Sequence, residues 1–198
     1  RDRRSGWCRA RLSAPEVLVH HVLIRERALD GDVVRPGAGD VGENAAIAVG
    51  PGDLAVIAYR DVGLDTLKLY ACANAACSSG VARTLDAGVN VSGAISMALR
   101  ADGRPLVAYQ DLTNFRLRVY DCDNPGCSSG TARFPAGSGM PYATSVALRT
   151  DGRALIALGG NAGAAIPVRV YECSDAACTT GTQRTLADLS YSPSVSLV

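Results

Sequence analysis

The sequence predicts an all-β fold, a β-propeller or partial propeller built from four-stranded antiparallel blades. The first observation behind this prediction is an internal repeat of about 50 residues that occurs in about three complete copies. The second is that each copy contains four short strand patterns separated by turn residues, and no helical period. Four short strands per repeat of this length are typical of one propeller blade. A parallel β-solenoid, which uses shorter coils, is the alternative architecture.

The copies align at paired cysteines, which recur at intervals of 50 and 51 residues. The third copy carries two extra residues in its middle loop. We therefore divide the chain into a non-repeat N-terminal segment, residues 1–30, and propeller repeats, residues 31–198. The predicted blades cover about residues 43–92, 93–141 and 142–190, and the start of a fourth covers 191–198.

The second copy illustrates the four predicted strands of a blade. The first strand, residues 95–100, ends at an Asp-Gly turn at 102–103, and Asp-Gly supplies the positive φ of a tight hairpin. The second, residues 105–111, has apolar residues at both odd and even positions, as expected of a strand covered on both faces. The third, residues 115–122, alternates apolar and polar residues, and a cysteine-bounded turn leads to the fourth at 131–137.

Six of the seven cysteines form three Cys-x4-Cys pairs at equivalent positions of the repeats. Structural zinc needs four ligands that converge on one point, whereas a propeller holds equivalent positions of separate blades apart. We therefore predict no metal site. We predict instead three local disulfides, which do not include Cys8. The predicted bonds are Cys72–Cys77, Cys122–Cys127 and Cys173–Cys178. Disulfides persist in oxidising compartments, so the protein is predicted to be secreted, periplasmic or on the cell surface.

Composition and charge exclude several classes of partner. The 198 residues include 20 basic and 19 acidic side chains, a formal net charge of +1. A nucleic-acid binder needs a basic face, so nucleic acid is not an expected partner. The chain has no run approaching the about 18 apolar residues of a membrane span. The abundance of Ala, Gly, Val and Arg, with Lys68 as the single lysine, indicates a bacterial origin.

Three blades do not close a ring that usually needs about four to eight. Two interpretations stay open. The chain is a piece of a longer protein, or a homodimer completes the ring.

Two sets of side chains are candidate ligand-binding residues. Asp61 and Asp111 follow the second strand, where a carboxylate can bind a cation or sugar hydroxyls, or can close an Asx turn. Tyr70, Tyr120 and Tyr171 share one third-strand position and form the only regular aromatic row of the repeats. Such a row can stack on the apolar face of a sugar, or it can cover the edges of the blades.

The sequence contains no recognisable catalytic set. Histidine is missing from the repeats, and their only glutamates are Glu43 and Glu172. The glycine-rich segment at 37–42 precedes a predicted strand, whereas a dinucleotide-binding loop opens a helix. We therefore name no catalytic residue and expect no cofactor, and activity is expected only from residues outside this chain.

The combined motif of the second copy is S-x-A-L-x-x-D-G-x-P-L-V-A-Y-x-D, followed by L-x-V-x-x-C-x4-C-S-S-G. It resembles repeats of uncharacterised secreted bacterial proteins that are taken to form sialidase-like, BNR-type β-propellers. The resemblance covers about residues 43–198 and implies the fold rather than an activity, because propellers host many functions. The third copy departs from the motif, since Leu158 and Gly160 replace its Tyr and Asp.

These observations favour an extracellular repeat scaffold that binds a protein or glycan partner and is not itself an enzyme. Two alternatives stay open. One is a fragment of a sialidase-like, glycan-active enzyme, and the other is a propeller lectin.

Overall fold

The computed structural model describes residues 41–159 and 168–187 of the chain. Within these ranges it contains twelve β-strands and one short 3-10 helix, Pro51–Asp53. The strands are β1 Val41–Val49, β2 Ala55–Asp61, β3 Thr66–Cys72, β4 Gly80–Asp86, β5 Val91–Leu99, β6 Pro105–Asp111, β7 Arg116–Cys122, β8 Gly130–Arg133, β9 Ala143–Leu148, β10 Ala154–Gly159, β11 Val168–Cys173 and β12 Gly181–Ala187. The predicted segment 1–30, Cys8, Gly160 and the start of a fourth repeat at 191–198 lie outside the described residues.

The strands form three four-stranded sheets, each with its strands side by side in chain order. We call β1–β4 the first sheet, β5–β8 the second and β9–β12 the third. Every neighbouring pair is antiparallel. The first strands of successive sheets also contact one another, as expected of strands that line a common axis. The predicted all-β fold with four-stranded antiparallel repeats is confirmed.

The second sheet is covered on both faces, which explains the apolar pattern of its β6 strand. All seven residues of β6 are buried. Val107 and Tyr109 pack in the core shared with the first sheet, whereas Leu106 and Ala108 pack in the core shared with the third. Because successive side chains of a strand point to opposite faces, one strand contributes to both cores.

The three predicted disulfides are present: Cys72–Cys77, Cys122–Cys127 and Cys173–Cys178. Each closes the loop between the third and fourth strands of its sheet. The loops share one backbone hydrogen bond, in which the second cysteine N–H donates to the carbonyl three residues earlier. The bonds therefore belong to a repeated, local loop structure.

Within the described ranges, no group of three or more His, Cys, Asp and Glu side chains is arranged to hold a metal ion. No helix within residues 41–159 and 168–187 is long and apolar enough to cross a membrane.

Candidate functional site

The loops of the sheets gather at two opposite ends. The disulfide loops and the turns between first and second strands lie at one end, which we call the disulfide end. The other end, the turn end, carries the turns between second and third strands at 62–65 and 112–115. It also carries the connections between sheets at 87–90 and 134–142. The predicted aspartates lie at the turn end.

Asp61 and Asp111 occupy the last positions of β2 and β6 and cap the turns that follow. The Oδ1 atom of Asp61 accepts a hydrogen bond from the Leu64 N–H at 3.1 Å. Asp111 Oδ1 accepts one from the Asn114 N–H at 3.0 Å, and its Oδ2 accepts another from Asn114 Nδ2 at 2.9 Å. Both aspartates are buried, Asp111 completely. Their observed contacts are those of the turn-closing alternative.

Each of these carboxylates also pairs with a cation on the adjacent third strand. Lys68 Nζ lies 2.6 Å from Asp61 Oδ2 in the first sheet. Arg118 Nη1 lies 3.2 Å from Asp111 Oδ2 in the second. The ligand-binding role of Asp61 and Asp111 stays a prediction, because a ligand would have to replace these partners.

Arg118 also joins the second sheet to the first. Its Nε lies 2.9 Å from Oδ2 of Asp86, which ends β4. The hydroxyl of Tyr109 donates a hydrogen bond to the same carboxylate, and the Gly88 N–H donates to Asp86 Oδ1 at 3.2 Å. Asp86 is therefore held by two side chains of the neighbouring sheet and by its own loop. We call Asp86, Tyr109, Asp111 and Arg118 the buried polar cluster.

Burial keeps the hydroxyl of Tyr109 in the buried polar cluster protonated. The pKa of Tyr109 is raised well above its ordinary value, first by desolvation and then by the negative charge of Asp86. The hydroxyl therefore stays protonated and donates to the carboxylate. Asp86 and Asp111 share the guanidinium of Arg118, so each depends on the same cation as its counter-charge.

The tyrosine row lies mainly between the sheets. Tyr120 and Tyr171 are buried, and Tyr70 is partly buried. The Tyr171 hydroxyl donates to the carbonyl of Ala136 in the preceding connection at 2.8 Å. Burial raises the pKa of both Tyr120 and Tyr171. These contacts are those of side chains that cover blade edges, and ligand binding by the row stays a prediction.

The residues that sequence reasoning missed are two phenylalanines at the turn end. Phe115 is 67% exposed at the tip of the β6–β7 turn, where its φ is 52°. Phe134 follows β8 and is 37% exposed. The guanidinium carbons of Arg118 and Arg116 lie 4.4 and 5.0 Å from the centre of the Phe134 ring. We call Phe115, Arg116, Arg118 and Phe134 the aromatic surface.

A signal for the aromatic surface is present in the sequence as a departure from the repeat. Phe115 and Phe134 are the only phenylalanines of the chain, and both belong to the second copy. The first copy has Asp65 and Thr84 at the equivalent positions. A residue that breaks the consensus of a repeat is not needed by the shared scaffold, so it marks a position where one copy differs in surface chemistry.

The chain matches no protein-family model, and none of the curated proteins is similar to it in sequence. Among solved structures it is similar to a β-1,3-galactosidase of family GH43, with 11% identity and a TM-score of 0.53, over 80% of this chain and 35% of that one. It is also similar to an exo-β-1,3-galactanase from Phanerochaete chrysosporium, determined with β-1,3-galactotriose. That match has 13% identity and a TM-score of 0.54, over 76% of this chain and 36% of that one.

The chain thus spans about a third of the length of these two enzymes. At such low identity the likeness concerns the fold alone, because propellers carry many unrelated functions. Together with the three antiparallel sheets, it identifies the chain as a partial β-propeller of about three blades.

Proposed function

We propose that this chain is part of an extracellular β-propeller that binds carbohydrate at the aromatic surface of its turn end. The observation that carries the proposal is the exposed Phe134 ring, over which the guanidinium carbons of Arg116 and Arg118 lie at 5.0 and 4.4 Å from the ring centre. Phe115, which directly precedes Arg116 in sequence, is a second exposed aromatic residue at the same end.

The chemistry of this surface suits a sugar. A sugar ring offers one apolar face of C–H groups, which stacks on an aromatic ring, and hydroxyls around its edge. A guanidinium offers several N–H donors in a fixed plane and no acceptor. The exposed part of the Phe134 ring, together with the N–H groups of the arginines that stack on it, therefore offers both kinds of contact.

The buried polar cluster supports the surface from below. Arg118 is fixed by Asp86 and Asp111, so its position against Phe134 is set before any ligand arrives. Binding groups held by a second layer of contacts lose less conformational freedom on binding. This is why we place the ligand at the second sheet, where both the cluster and the phenylalanines occur.

The similar solved structures guide the choice of ligand. Both are named for action on β-1,3-linked galactose, and one was determined with β-1,3-galactotriose. We therefore select β-1,3-galactotriose as the first probe. The three disulfides support the extracellular location, because such bonds persist in oxidising compartments. Membership of the sialidase-like repeats of secreted bacterial proteins is part of the same proposal.

The test is calorimetric titration of the full chain with β-1,3-galactotriose, next to a glycan array for other sugars. We expect Phe134→Ala to abolish binding and Phe115→Ala to weaken it, with unchanged circular dichroism. Val81→Ala is the matched control, because Val81 is also an exposed apolar residue, 50% exposed, but it is the second residue of β4, at the disulfide end. Binding that survives both phenylalanine substitutions, or absence of binding to every sugar, contradicts the proposal and leaves the protein-binding scaffold.

A glycan-active enzyme is the second candidate, because the two similar structures named above are glycan-cleaving enzymes. Its activity would belong to a longer chain that contains these sheets. The test is hydrolysis of β-1,3-galactan, sialosides and aryl glycosides by the longer chain. Turnover of any of these substrates by the longer chain would favour the enzyme over the non-enzymatic scaffold.

Completion of the ring by a second copy of the chain stays a prediction. Light scattering of the non-reduced protein measures the native mass. A stable dimer would support it, and a monomer would contradict it.

A further inference from the structure

An ion pair recurs at the disulfide end of two of the three sheets. In the second sheet, Arg100 Nη2 lies 2.9 Å from Asp121 Oδ1. In the third sheet, Arg149 Nη2 lies 3.2 Å from Glu172 Oε1 at the equivalent positions. Each pair joins the residue after the first strand to the residue before the first cysteine.

Arg100 also reaches across to the third sheet. Its Nη1 donates to the Gly152 carbonyl at 2.9 Å, and its Nη2 donates to the Ala176 carbonyl at 2.6 Å. The side chain is only 8% exposed. The guanidinium therefore occupies the groove between the second and third sheets and bonds to backbone carbonyls on its far wall.

The first sheet lacks both members of this pair. Gly50 stands at the position of Arg100, and Ala71 at the position of Asp121. One backbone hydrogen bond of the turn is shared, because the Gly50 N–H donates to the Leu54 carbonyl at 2.9 Å, as the Arg100 N–H donates to the Arg104 carbonyl. Gly50 has a φ of −98°, which any residue adopts. The glycine therefore removes a side chain at a position whose backbone could carry one, while the turn that follows differs, with positive φ at Gly52 and Asp53.

The result is a cavity of about 290 Å³ between the first and second sheets. Its walls are mainly apolar and include Gly50, Leu54, Ala71, Leu99, Gly103 and Pro125. In the second groove, between the second and third sheets, the Arg100 side chain fills the corresponding space.

The far wall of the cavity repeats the carbonyl acceptors of the filled groove. Gly103 and Pro125 are equivalent to Gly152 and Ala176. The turns have the same conformation, with φ of 83° at Gly103 and 80° at Gly152. Among the hydrogen bonds of residues 41–159 and 168–187, none uses the Gly103 or Pro125 carbonyl. Asp102 also lines the cavity, and its carboxylate is paired with Arg104 at 2.6 Å.

We propose that this cavity binds an alkylguanidinium group, supplied as the arginine side chain of a second polypeptide. The alkyl stem packs between Leu54 and Leu99, and the guanidinium donates to the carbonyls of Gly103 and Pro125. The bound arginine thus takes the place that Arg100 takes in the neighbouring groove. The site is separate from the aromatic surface, which lies at the opposite end of the sheets.

The first test compares two ligands on the full chain by NMR titration and calorimetry. Propylguanidine and its neutral analogue propylurea have the same shape, and only the former carries a charge. We expect propylguanidine to bind one site with a Kd of about 1 mM, the range for so small a ligand, and propylurea to bind at least tenfold more weakly. Equal binding of the two, or no binding of propylguanidine, overturns the proposal.

Variants locate the site. The double substitution Gly50→Arg with Ala71→Asp rebuilds the missing ion pair and should abolish propylguanidine binding. The converse pair, Arg100→Gly with Asp121→Ala, should open the second groove and raise the stoichiometry to about two, since it leaves the same carbonyls free. Retained binding in a folded first variant overturns the assignment. If that variant fails to fold, an unchanged stoichiometry in the converse variant overturns it instead.

A third experiment, with short peptides, tests whether an arginine side chain supplies the guanidinium. The capped tripeptide Ac-Gly-Arg-Gly-NH2 should bind at least as tightly as propylguanidine, and its Gly-Lys-Gly counterpart more weakly, because an ammonium cannot span two carbonyls in one plane. Binding of propylguanidine without binding of the arginine peptide contradicts a polypeptide partner.

Discussion

The ring of Tyr120 lies over Gly130, the glycine that opens the neighbouring strand β8. A Cβ atom at Gly130 would lie only 3.0 Å from the tyrosine Cζ, closer still to its Cε1, and also against the Asp121 carbonyl. Tyr120 is paired in register with Ala132, and Gly130 with Cys122, so the ring leans diagonally across the two strands. The glycine is required by this close approach and not by its backbone conformation.

The same contact occurs in the other two sheets. A Cβ at Gly80 would lie 2.6 Å from Cε1 of Tyr70, and one at Gly181 would lie 2.5 Å from Cε1 of Tyr171. Tyrosine and glycine therefore recur together because the ring takes the space of the missing side chain. This contact gives the tyrosine row a structural role that does not involve a ligand.

Replacing Gly130 with alanine should lower the free energy of unfolding by about 1–3 kcal/mol, the usual cost of forcing an extra carbon into a packed site. Urea denaturation followed by tyrosine fluorescence measures it. Gly126→Ala is the matched control in the same loop, since its nearest neighbour would be Asn124 Oδ1 at 3.8 Å. Equal costs for the two substitutions would contradict the packing argument.

Replacing Arg118 with methionine should lower the free energy of unfolding by about 3–5 kcal/mol, because two buried carboxylates would lose their counter-charge. Thermal and urea unfolding at neutral pH measure the loss. Arg104→Met is the control, since Arg104 pairs with Asp102 at the surface and should show no measurable change. A loss no larger than that of the control would mean that water or another cation compensates the carboxylates.

The third disulfide loop should make the stability of the protein sensitive to acid. Hydrogen bonds from Thr179, first from its hydroxyl and then from its N–H, hold the pKa of Asp175 below its usual range. The folded state therefore binds the proton less readily than the unfolded chain. This contribution is present above the pKa of the unfolded chain and is lost as the pH falls through the lowered folded pKa.

Asp175→Asn should flatten this acid dependence of the melting temperature. The other two loops already carry asparagine at this position, and Asn124 Oδ1 accepts the Ser128 N–H at 3.0 Å. The variant should therefore keep the loop structure but lose, at neutral pH, the contribution that the ionised Asp175 makes. An acid transition that is unchanged in the variant would assign the effect to another carboxylate.

Alkylation under denaturing, non-reducing conditions should label one thiol per chain, since six of the seven cysteines are bonded. Peptide mapping should find the label on Cys8, which lies outside the described residues. Labelling of all seven would contradict the bonds and the extracellular location. Reduction should lower the free energy of unfolding by about 2 kcal/mol for each loop of this length.

The strands and loops could be predicted from the sequence because their determinants are local. The Asp-Gly turn at 102–103 sets its own backbone, and Gly103 has the positive φ that the pair predicts. Only four residues lie between Cys72 and Cys77, so the short loop brings them together without help from other sheets. Strand alternation in β7 follows from the two faces of its sheet. Repetition of these local signals in three copies predicted the blade.

The sites could not be predicted in the same way, because they join residues from different sheets. Asp86 meets Tyr109 and Arg118 only when the end of β4 packs against β6 and β7. The cavity beside Gly50 stays open because the first groove lacks a side chain like that of Arg100, which fills the groove between the second and third sheets.

The sequence by itself therefore determined the four-stranded repeat, its turns and its disulfides, since short-range sterics and covalent spacing decide them. Only the tertiary structure decided which charges meet, which aromatic rings stay exposed and which groove stays open. Those properties depend on how whole sheets pack, and packing is set by contacts between residues far apart in the chain.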